Sequence, residues 1–266
     1  MSTPPPVTSR IENAVALVAF NRPEKRNAIN REVLRALVDA VAAAERDRTV
    51  RAIVLYGEGR VFSAGVDFGM LAGDVGGAGE ERVPFRAQVG EMQALVTRLE
   101  AVEKPVIAAM HRYVPGLALE VALACDFRIA TSDCELGLPE VKVGLVPDVG
   151  GTTRLVRTVG YAKAKELILT GRMIAADEAL RIGLVTEVAP VGTHVESAAR
   201  LAEEIAQNAP LAVGLAKRLI DLGAGTDKHT FQAMELLAQS ILLPTDDAHE
   251  GARALAERRP PRFVGR

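Results

Sequence analysis

The sequence predicts an α/β protein whose last third is helical. In the first part of the chain, short β-branched segments bounded by turn-forming residues alternate with segments of helical periodicity. Beyond residue 161 the helix-like segments follow one another and are separated by Gly or Pro. The alternation indicates a sheet with helices packed on it. The second pattern indicates helices that pack on that core or on a sister subunit.

The first strand, helix and strand illustrate the alternation. Residues 14–20 (AVALVAF) and 51–57 (RAIVLYG) are typical of buried strands. The helix predicted between them has Asn30 as its N-cap. Its apolar side chains fall on one face: Val33, Leu34, Leu37, Val38 and Val41. Residues 1–10, which precede this unit, are rich in Pro, and we expect them to form a flexible tail.

The alternation then continues toward the middle of the chain. The elements predicted there are a strand at 104–110 (KPVIAAM), a helix at 116–125 (GLALEVALAC), a strand at 126–131 (DFRIAT) and a turn at 144–151 that leads into a helix. A charged, Gly-rich segment at 73–83 is predicted to be a mobile loop beside a functional site.

The remaining segments divide the chain into two parts. Further helices are predicted at 161–169, 175–183, 193–207, 210–223 and 229–242. We therefore predict an α/β core over residues 11–200 and a helical C-terminal region over residues 201–266.

The composition is that of a globular protein with no general attraction to polyanions. Of its 266 residues, 48% are hydrophobic and 25% are charged, with a formal net charge of -2. We therefore expect neither nucleic acid nor a membrane as a partner, and no apolar run reaches the roughly 18 residues of a membrane span. The two cysteines, Cys125 and Cys134, and the four scattered histidines match no metal-ligand spacing. These features predict a cytoplasmic protein with reduced cysteines and no bound metal.

Common nucleotide and hydrolase motifs do not occur in the sequence. The segment GEGR (57–60) lacks the third glycine of a dinucleotide fingerprint, and there is no phosphate-binding P-loop pattern. Ser63 lies in no GxSxG elbow. The bend Ser63-Ala64-Gly65 is instead of the kind that lets backbone amides approach a ligand, although an ordinary strand-to-helix turn has the same pattern. His111 and Tyr113 are expected to be packing or surface residues rather than ligands.

Three acids occur among apolar residues. Glu120 is the only charged residue between Val114 and Ala124, on a helix that is apolar on every side and hence expected to be buried. It either pairs with a distant Arg or backbone amides, or takes part in proton transfer, and Glu140 has the same alternatives. Two carboxylates in different environments can carry out acid and base steps at neutral pH. Asp148, in a Pro-Asp-x-Gly turn before a helix, is predicted from sequence alone to cap backbone amides.

Seven segments, taken in order, resemble the signatures of the crotonase, or enoyl-CoA hydratase/isomerase, superfamily. They are NRPEKRNAIN, VFSAGVDFGML, KPVIAAM, GLALEVALACDFRIA, LGLPEVKVGLVPDVGGTTRL, ILTGRMIAADEALRIGLVTEV and EGARALAERRPPRFVGR. The resemblance implies a spiral ββα core, a C-terminal trimerisation region, and a homotrimer or dimer of trimers. It also implies an acyl-CoA thioester substrate, with coenzyme A as part of the substrate rather than a cofactor.

The resemblance also implies roles for particular residues. The amides of Val66 and Leu117 would hold the oxygen of a thioester enolate. The residues that would line the path of the substrate and its coenzyme A portion are Lys25, Arg26, Ala28, Ser63, Ala64, Gly65, Asp67 and Gly116. Arg258 and Arg259 are candidates for phosphate contacts. The sequence departs from the family in having His111-Arg112 where Asn-Gly is usual, and Leu117-Ala118 where glycines are usual.

The leading functional expectation is hydration of a 2-enoyl-CoA. In it, Glu120 would deprotonate water that attacks C3, and Glu140 would protonate C2. A first alternative is a double-bond isomerase, including the Δ3,5-Δ2,4-dienoyl-CoA type, that uses Glu140 and Asp148. A second is an acyl-CoA-binding protein without catalytic activity, which the Leu117-Ala118 departure would permit.

Overall fold

The computed structural model describes residues 4–69, 85–223 and 225–266. A six-stranded sheet forms the centre of this structure. Its strands are Val7–Glu12 (β1), Val15–Phe20 (β2), Ala52–Gly57 (β3), Val106–Met110 (β4), Phe127–Thr131 (β6) and Glu187–Ala189 (β9). They lie in the order β1-β2-β3-β4-β6-β9. Only the β1–β2 pairing is antiparallel, so the carboxyl ends of the other strands meet at one edge. The loop predicted at 73–83 lies outside the described residues.

A second, three-stranded sheet and nine helices complete the described fold. The small sheet contains Tyr113–Pro115 (β5), Glu135–Gly137 (β7) and Ile174–Ala175 (β8). The helices are Arg31–Arg46 (α1), Phe85–Ala101 (α2), Leu117–Leu123 (α3), Gly151–Thr170 (α4), Ala176–Arg181 (α5), His194–Ala206 (α6), Pro210–Gly223 (α7), Lys228–Leu242 (α8) and Asp246–Glu257 (α9). Short 3-10 helices occur at Pro23–Lys25 and Glu140–Val143. Among these helices, none is long and apolar enough to cross a membrane.

The two faces of the large sheet are covered differently. Side chains alternate along a strand, so β2 directs Ala16, Val18 and Phe20 into one apolar cluster and its other residues into a second. The first cluster contains α1, whose predicted face is confirmed as buried, and whose predicted N-cap Asn30 accepts from the amide of Val33. The second cluster contains α6, so helices cover both faces of the sheet.

The predicted flexible tail over residues 1–10 is wrong from Val7 onward. Val7–Glu12 forms β1, and its register with β2 leaves a two-residue hairpin loop, Asn13-Ala14. Both loop residues have positive φ, 48° and 65°, as a type I′ hairpin turn requires. The polar residues of β1 face outward on an edge strand, so its sequence resembles a tail, and the core begins before the predicted residue 11.

The predicted boundary at residue 200 is also displaced. Residue 200 lies inside α6. This helix belongs to the core, because its residues Ala198 and Ala202 pack against the large sheet. The helical C-terminal region therefore begins with α7. Its predicted helices at 210–223 and 229–242 are confirmed as α7 and α8.

Candidate active site

Two turns that come from distant parts of the sequence lie against each other beside β3 and β4. The turn at Gly65 is held by hydrogen bonds from the Ile29 amide to the Gly65 carbonyl (2.7 Å) and from the Asp67 amide to the Ile29 carbonyl (2.8 Å). Gly65 has φ of 84°, and a Cβ on it would lie 2.8 Å from the Pro115 carbonyl oxygen. Only glycine fits this contact, which brings the Gly65 turn against the turn that begins α3.

Each turn presents a backbone amide that has no protein acceptor. Among the described residues, no hydrogen bond engages the amide of Val66, and none engages that of Leu117. Leu117 is the first residue of α3, and its N-cap, Gly116, provides no side-chain cap. Free amides are expected at the start of a helix, and a pair of them can bind a developing oxyanion. These are the two amides that the family resemblance implies.

The side chains of Leu117 and Ala118 do not project from this turn. Leu117 is 5% exposed and Ala118 is fully buried, and both belong to the apolar cluster that includes α1. The bulk that replaces the usual glycines is therefore directed into the core rather than toward the free amides. The other departure, Arg112, adopts φ of 63°, a left-handed conformation that side chains other than Gly rarely take.

Glu140 lies directly against the start of α3. Its Oε1 atom is 2.7 Å from the position that a Cβ on Gly116 would occupy. Its Oε2 atom is buried and has no hydrogen-bond partner among the described residues. Burial raises the pKa of the Glu140 carboxyl, against its own backbone amide, and the charge of Asp148 raises it further. A carboxyl with an unused buried oxygen is suited to exchange a proton with a ligand.

Glu120 occupies the other side of this region, on α3. Its side chain is 2% exposed, and Oε1 accepts hydrogen bonds from the amides of Val149 and Gly151, both at 2.8 Å. The pKa of Glu120 is raised to about 8, mainly by burial and also by the charges of Glu140 and Asp148, although the hydrogen bonds from the two amides act in the opposite direction. Of the two structural partners considered for Glu120, backbone amides are the ones observed.

Asp148 does not cap the helix that follows it, contrary to the sequence-based prediction. The N-cap of α4 is Gly150, with no side-chain cap, because Oε1 of Glu120 takes the amides of this turn. The Asp148 carbonyl accepts from the side chain of Gln93, and burial raises the pKa of the Asp148 carboxyl. Asp148 is thus a third acid whose charge acts on both Glu120 and Glu140.

The residues predicted to line the path of coenzyme A lie in and beside the Gly65 turn. The Arg26 carbonyl accepts from the amide of Ala64 (2.8 Å), which joins the segment containing Lys25 and Ala28 to that turn. Ser63 is buried, and its hydroxyl donates to the Asn27 carbonyl (2.7 Å).

Two organising residues in this segment were missed from sequence. Asn27 is 1% exposed and donates to the carbonyls of Glu58 and Val61, and Arg22 forms an ion pair with Asp67. Both occur in the segment NRPEKRNAIN, where a buried polar residue cannot be told from an exposed one by type alone. Farther away, Arg259 is paired with Glu250 and Glu257 of its own chain.

Two amides with no acceptor among the described residues, next to two carboxyls with raised pKa values, are typical of one class of enzyme. Such an enzyme stabilises a developing negative charge while it moves protons at neighbouring atoms. The enoyl-CoA hydratase/isomerase family model matches residues 10–266. The chain therefore belongs to the enoyl-CoA hydratase/isomerase family, as the sequence resemblance predicts.

Individual relatives match over almost their whole length. A 2,3-dehydroadipyl-CoA hydratase of Escherichia coli (strain K12) is 36% identical over 256 residues, covering 96% of this chain and 97% of that protein. A short-chain-enoyl-CoA hydratase of Clostridium acetobutylicum is 38% identical, with 93% of each chain covered. The crystal structure of an enoyl-CoA hydratase from Bacillus anthracis superposes with a TM-score of 0.91 at 36% identity, covering 98% of this chain and 100% of that one. The predicted crotonase-like α/β fold is thereby confirmed.

Replacing Gly116 by Ala should lower kcat for the hydration of crotonyl-CoA by about 10²-fold. The new Cβ would collide with Oε1 of Glu140, and φ of 53° at this position is strained for alanine, so both Glu140 and the Leu117 amide would shift. Gly144→Ala is the matched control, because Gly144 also has positive φ (78°) but no atom within 4 Å of the added Cβ. Equal losses of kcat in the two variants would mean that backbone strain, rather than the Glu140 contact, is responsible.

Proposed function

We propose that this protein is an enoyl-CoA hydratase that adds water in syn fashion to a 2-enoyl-CoA thioester. The observation that carries the proposal is the placement of Glu140 against Gly116. There it lies beside the Leu117 amide, which has no acceptor among the described residues, and Glu120 lies on α3, the helix that Leu117 begins. The names of the relatives support this activity, since several of them are hydratases of enoyl-CoA thioesters.

In the proposed reaction, the amides of Val66 and Leu117 donate hydrogen bonds to the thioester carbonyl oxygen. The carboxylate of Glu120 takes a proton from water while the water oxygen forms a bond to C3. The π electrons move through C2 to the carbonyl oxygen, and the enolate is stabilised by the two amides. The carboxyl of Glu140 then donates its proton to C2. Transfer of the proton from Glu120 back to Glu140 restores the site, so that one water has been added.

The raised pKa values of the two glutamates suit this sequence. The proposed reaction needs one proton on the pair, and burial raises the pKa of both carboxyls, so each of them holds a proton to higher pH than a free glutamate does. The pKa of Glu120 is raised to about 8, and that of Glu140 is raised as well. Turnover requires the proton on Glu140 and the negative charge on Glu120. Because the two carboxyls interact, the titration of their shared proton is a property of the pair rather than of either residue.

The second candidate function is isomerisation of a double bond in an enoyl-CoA or a Δ3,5-Δ2,4-dienoyl-CoA. It is favoured by the position of Asp148. This residue does not cap the helix that follows it, and its charge raises the pKa of Glu140. A base on each side of an acyl chain can remove a proton at one carbon and return one at another. This reaction needs no water.

An assay of Asp148→Asn distinguishes the two candidates. We expect hydration of crotonyl-CoA to remain near the wild-type rate, because Asp148 donates no proton in the proposed hydration. The measurements are the mass gain of one water for crotonyl-CoA and the change in ultraviolet absorption for a 3,5-dienoyl-CoA. If the wild type isomerises the dienoyl-CoA and only this activity falls, by about 10²-fold, the protein acts as an isomerase through Asp148.

A binding protein without catalytic activity is the least favoured alternative. Two buried acids are costly to keep, and binding alone does not require them.

We also propose that the chain assembles as a homotrimer or a dimer of trimers. The exposed apolar side chains along and just after α8 support this, since they would be covered in an oligomer: Leu236, Leu237, Ile241 and Leu243. The cytoplasmic location stays a prediction; Cys125 and Cys134 are free and buried.

A further inference from the structure

A cavity of about 380 Å³ lies at the carboxyl edge of the large sheet, apart from the three acids. Its walls come from the ends of four parallel strands: the segment after β3, His111 after β4, Thr131 at the end of β6, and the turn between β9 and α6. Ligands of open α/β sheets bind in the crevice beyond the carboxyl ends of the strands. The position of this cavity therefore makes it a candidate site.

Two histidines in the wall of this cavity have unused ring nitrogens. The rings of His111 and His194 stack, with centroids 4.4 Å apart and planes at 30°. His194 is only 9% exposed, yet neither of its ring nitrogens has a hydrogen-bond partner among the described residues. The Nδ1 atom of His111 has none either, and its Nε2 atom lies 3.2 Å from the Gly59 carbonyl. A buried N–H without an acceptor is costly, so an acceptor bound in the cavity would stabilise this arrangement.

The start of helix α6 lies at the same place. His194 is the first of the 13 residues of α6, and both His194 and Val195 line the cavity. The N-cap, Thr193, makes no side-chain cap, because its hydroxyl donates to the Pro190 carbonyl. The first amides of a helix carry partial positive charge and bind anions when no side chain caps them.

The charged side chains around the cavity leave one cation unpaired. Arg112 forms an ion pair with Asp133, which also accepts from Thr131. Glu58 accepts from the hydroxyl of Tyr56, to which Arg10 donates. Both acids are thus engaged by protein donors. Arg60, which also lines the cavity, forms no ion pair with any acid of the described residues.

We propose that this cavity binds a small oxyanion, of the phosphate or carboxylate class, through His194, the first amides of α6 and Arg60. The anion would accept hydrogen bonds from the N–H groups for which the described residues offer no acceptor. Burial lowers the pKa of His194 to about 4, with repulsion from His111 in the same direction, and burial also lowers the pKa of His111. A bound anion opposes both shifts. Binding of acetate, whose own charge does not change in this range, should therefore take up protons and strengthen as the pH falls from 8 to 6.

Calorimetric titration of the purified, full-length protein with inorganic phosphate, and separately with acetate, tests this site. Each titration is done with and without saturating acetyl-CoA, which occupies the coenzyme A site. His194→Phe keeps a ring to stack on His111 but removes both nitrogens, and Arg60→Gln changes an exposed residue that is unimportant for packing. The matched control is His229→Phe, at the start of α8, where the side chain of Asp227 already caps the helix.

At least one of the two anions should bind the wild type, and the one that binds identifies the class. Its affinity should fall about tenfold or more in His194→Phe, fall severalfold in Arg60→Gln, and stay unchanged in His229→Phe. The proposal is overturned if neither anion binds, if acetyl-CoA abolishes the binding, or if His194→Phe and Arg60→Gln both bind as the wild type does. Binding through Arg60 alone, with His194→Phe unaffected, would also overturn it.

Discussion

Replacing Glu140 by Gln should lower kcat for crotonyl-CoA hydration by about 10³-fold, because the variant lacks the proton proposed for C2. The free energy of unfolding should stay near that of the wild type. The Oε2 atom of Glu140 has no hydrogen-bond partner to lose in the part of the chain that the structure describes, and the pKa of this carboxyl is raised by burial, so a neutral amide of the same shape suits the site. Steady-state kinetics and urea denaturation measure the two quantities.

Glu135→Gln is the matched control for this variant. Glu135 lies on β7, five residues earlier, and it is exposed. Its replacement should leave kcat and the free energy of unfolding unchanged. A Glu140→Gln variant that hydrates crotonyl-CoA at the rate of Glu135→Gln would remove Glu140 from the mechanism.

For Glu120, the choice of substitution should separate catalysis from folding. Glu120→Gln is expected to lower kcat by about 10²- to 10⁴-fold, since it cannot take a proton from water. Its side-chain oxygen can still accept from Val149 and Gly151, so the fold should be retained. Glu120→Ala leaves both amides buried without an acceptor and should lower the free energy of unfolding by about 2 kcal/mol or more, at a cost of about 1–3 kcal/mol for each amide.

If Glu120→Gln and Glu120→Ala were equally stable, the hydrogen bonds from the Val149 and Gly151 amides would contribute nothing to the free energy of unfolding. A Glu120→Gln variant with wild-type kcat would show instead that Glu120 serves only as the cap of this turn. Kinetics and urea denaturation of the two variants side by side distinguish these results.

The pH dependence of stability provides a further measurement on Glu120→Gln and the wild type. The pKa of Glu120 rises from 4.5 to about 8 on folding, so between these values the folded state holds a proton that the unfolded state has lost. Stability from this group is therefore fully present below pH 4.5 and is lost as the pH rises toward 8. The difference in free energy of unfolding, Glu120→Gln minus wild type, should increase over this range. A constant difference would contradict the raised pKa.

Local patterns in the sequence were sufficient to predict much of the fold. The apolar face and N-cap of α1 depend on residues within one helix, and both are confirmed. The burial of Glu120 could also be predicted, because every neighbour on its short helix is apolar. The seven family segments add the proposed pairing of Glu120 with Glu140, which no local pattern contains.

Features that depend on contacts between distant segments were not predicted. The composition of residues 7–10 predicts a tail, because the sheet partner of β1, rather than its own composition, makes it a strand. The cap assigned to Asp148 was wrong because Glu120, 28 residues earlier in the chain, takes the amides of that turn. Asn27 was missed because the carbonyls it bonds lie beyond residue 57. In each case the competing partner lies far away in sequence.

The two hydrogen bonds that backbone amides donate to Glu120 also have a consequence for the chirality of the product. Because Oε1 is occupied by Val149 and Gly151, a proton or an attacking water can be held only at Oε2. An oxygen that holds water in a single position delivers it to one face of a planar double bond. The 3-hydroxyacyl product of such a site should therefore be a single enantiomer, whose handedness depends on the bonds that orient Glu120 rather than on the acyl chain.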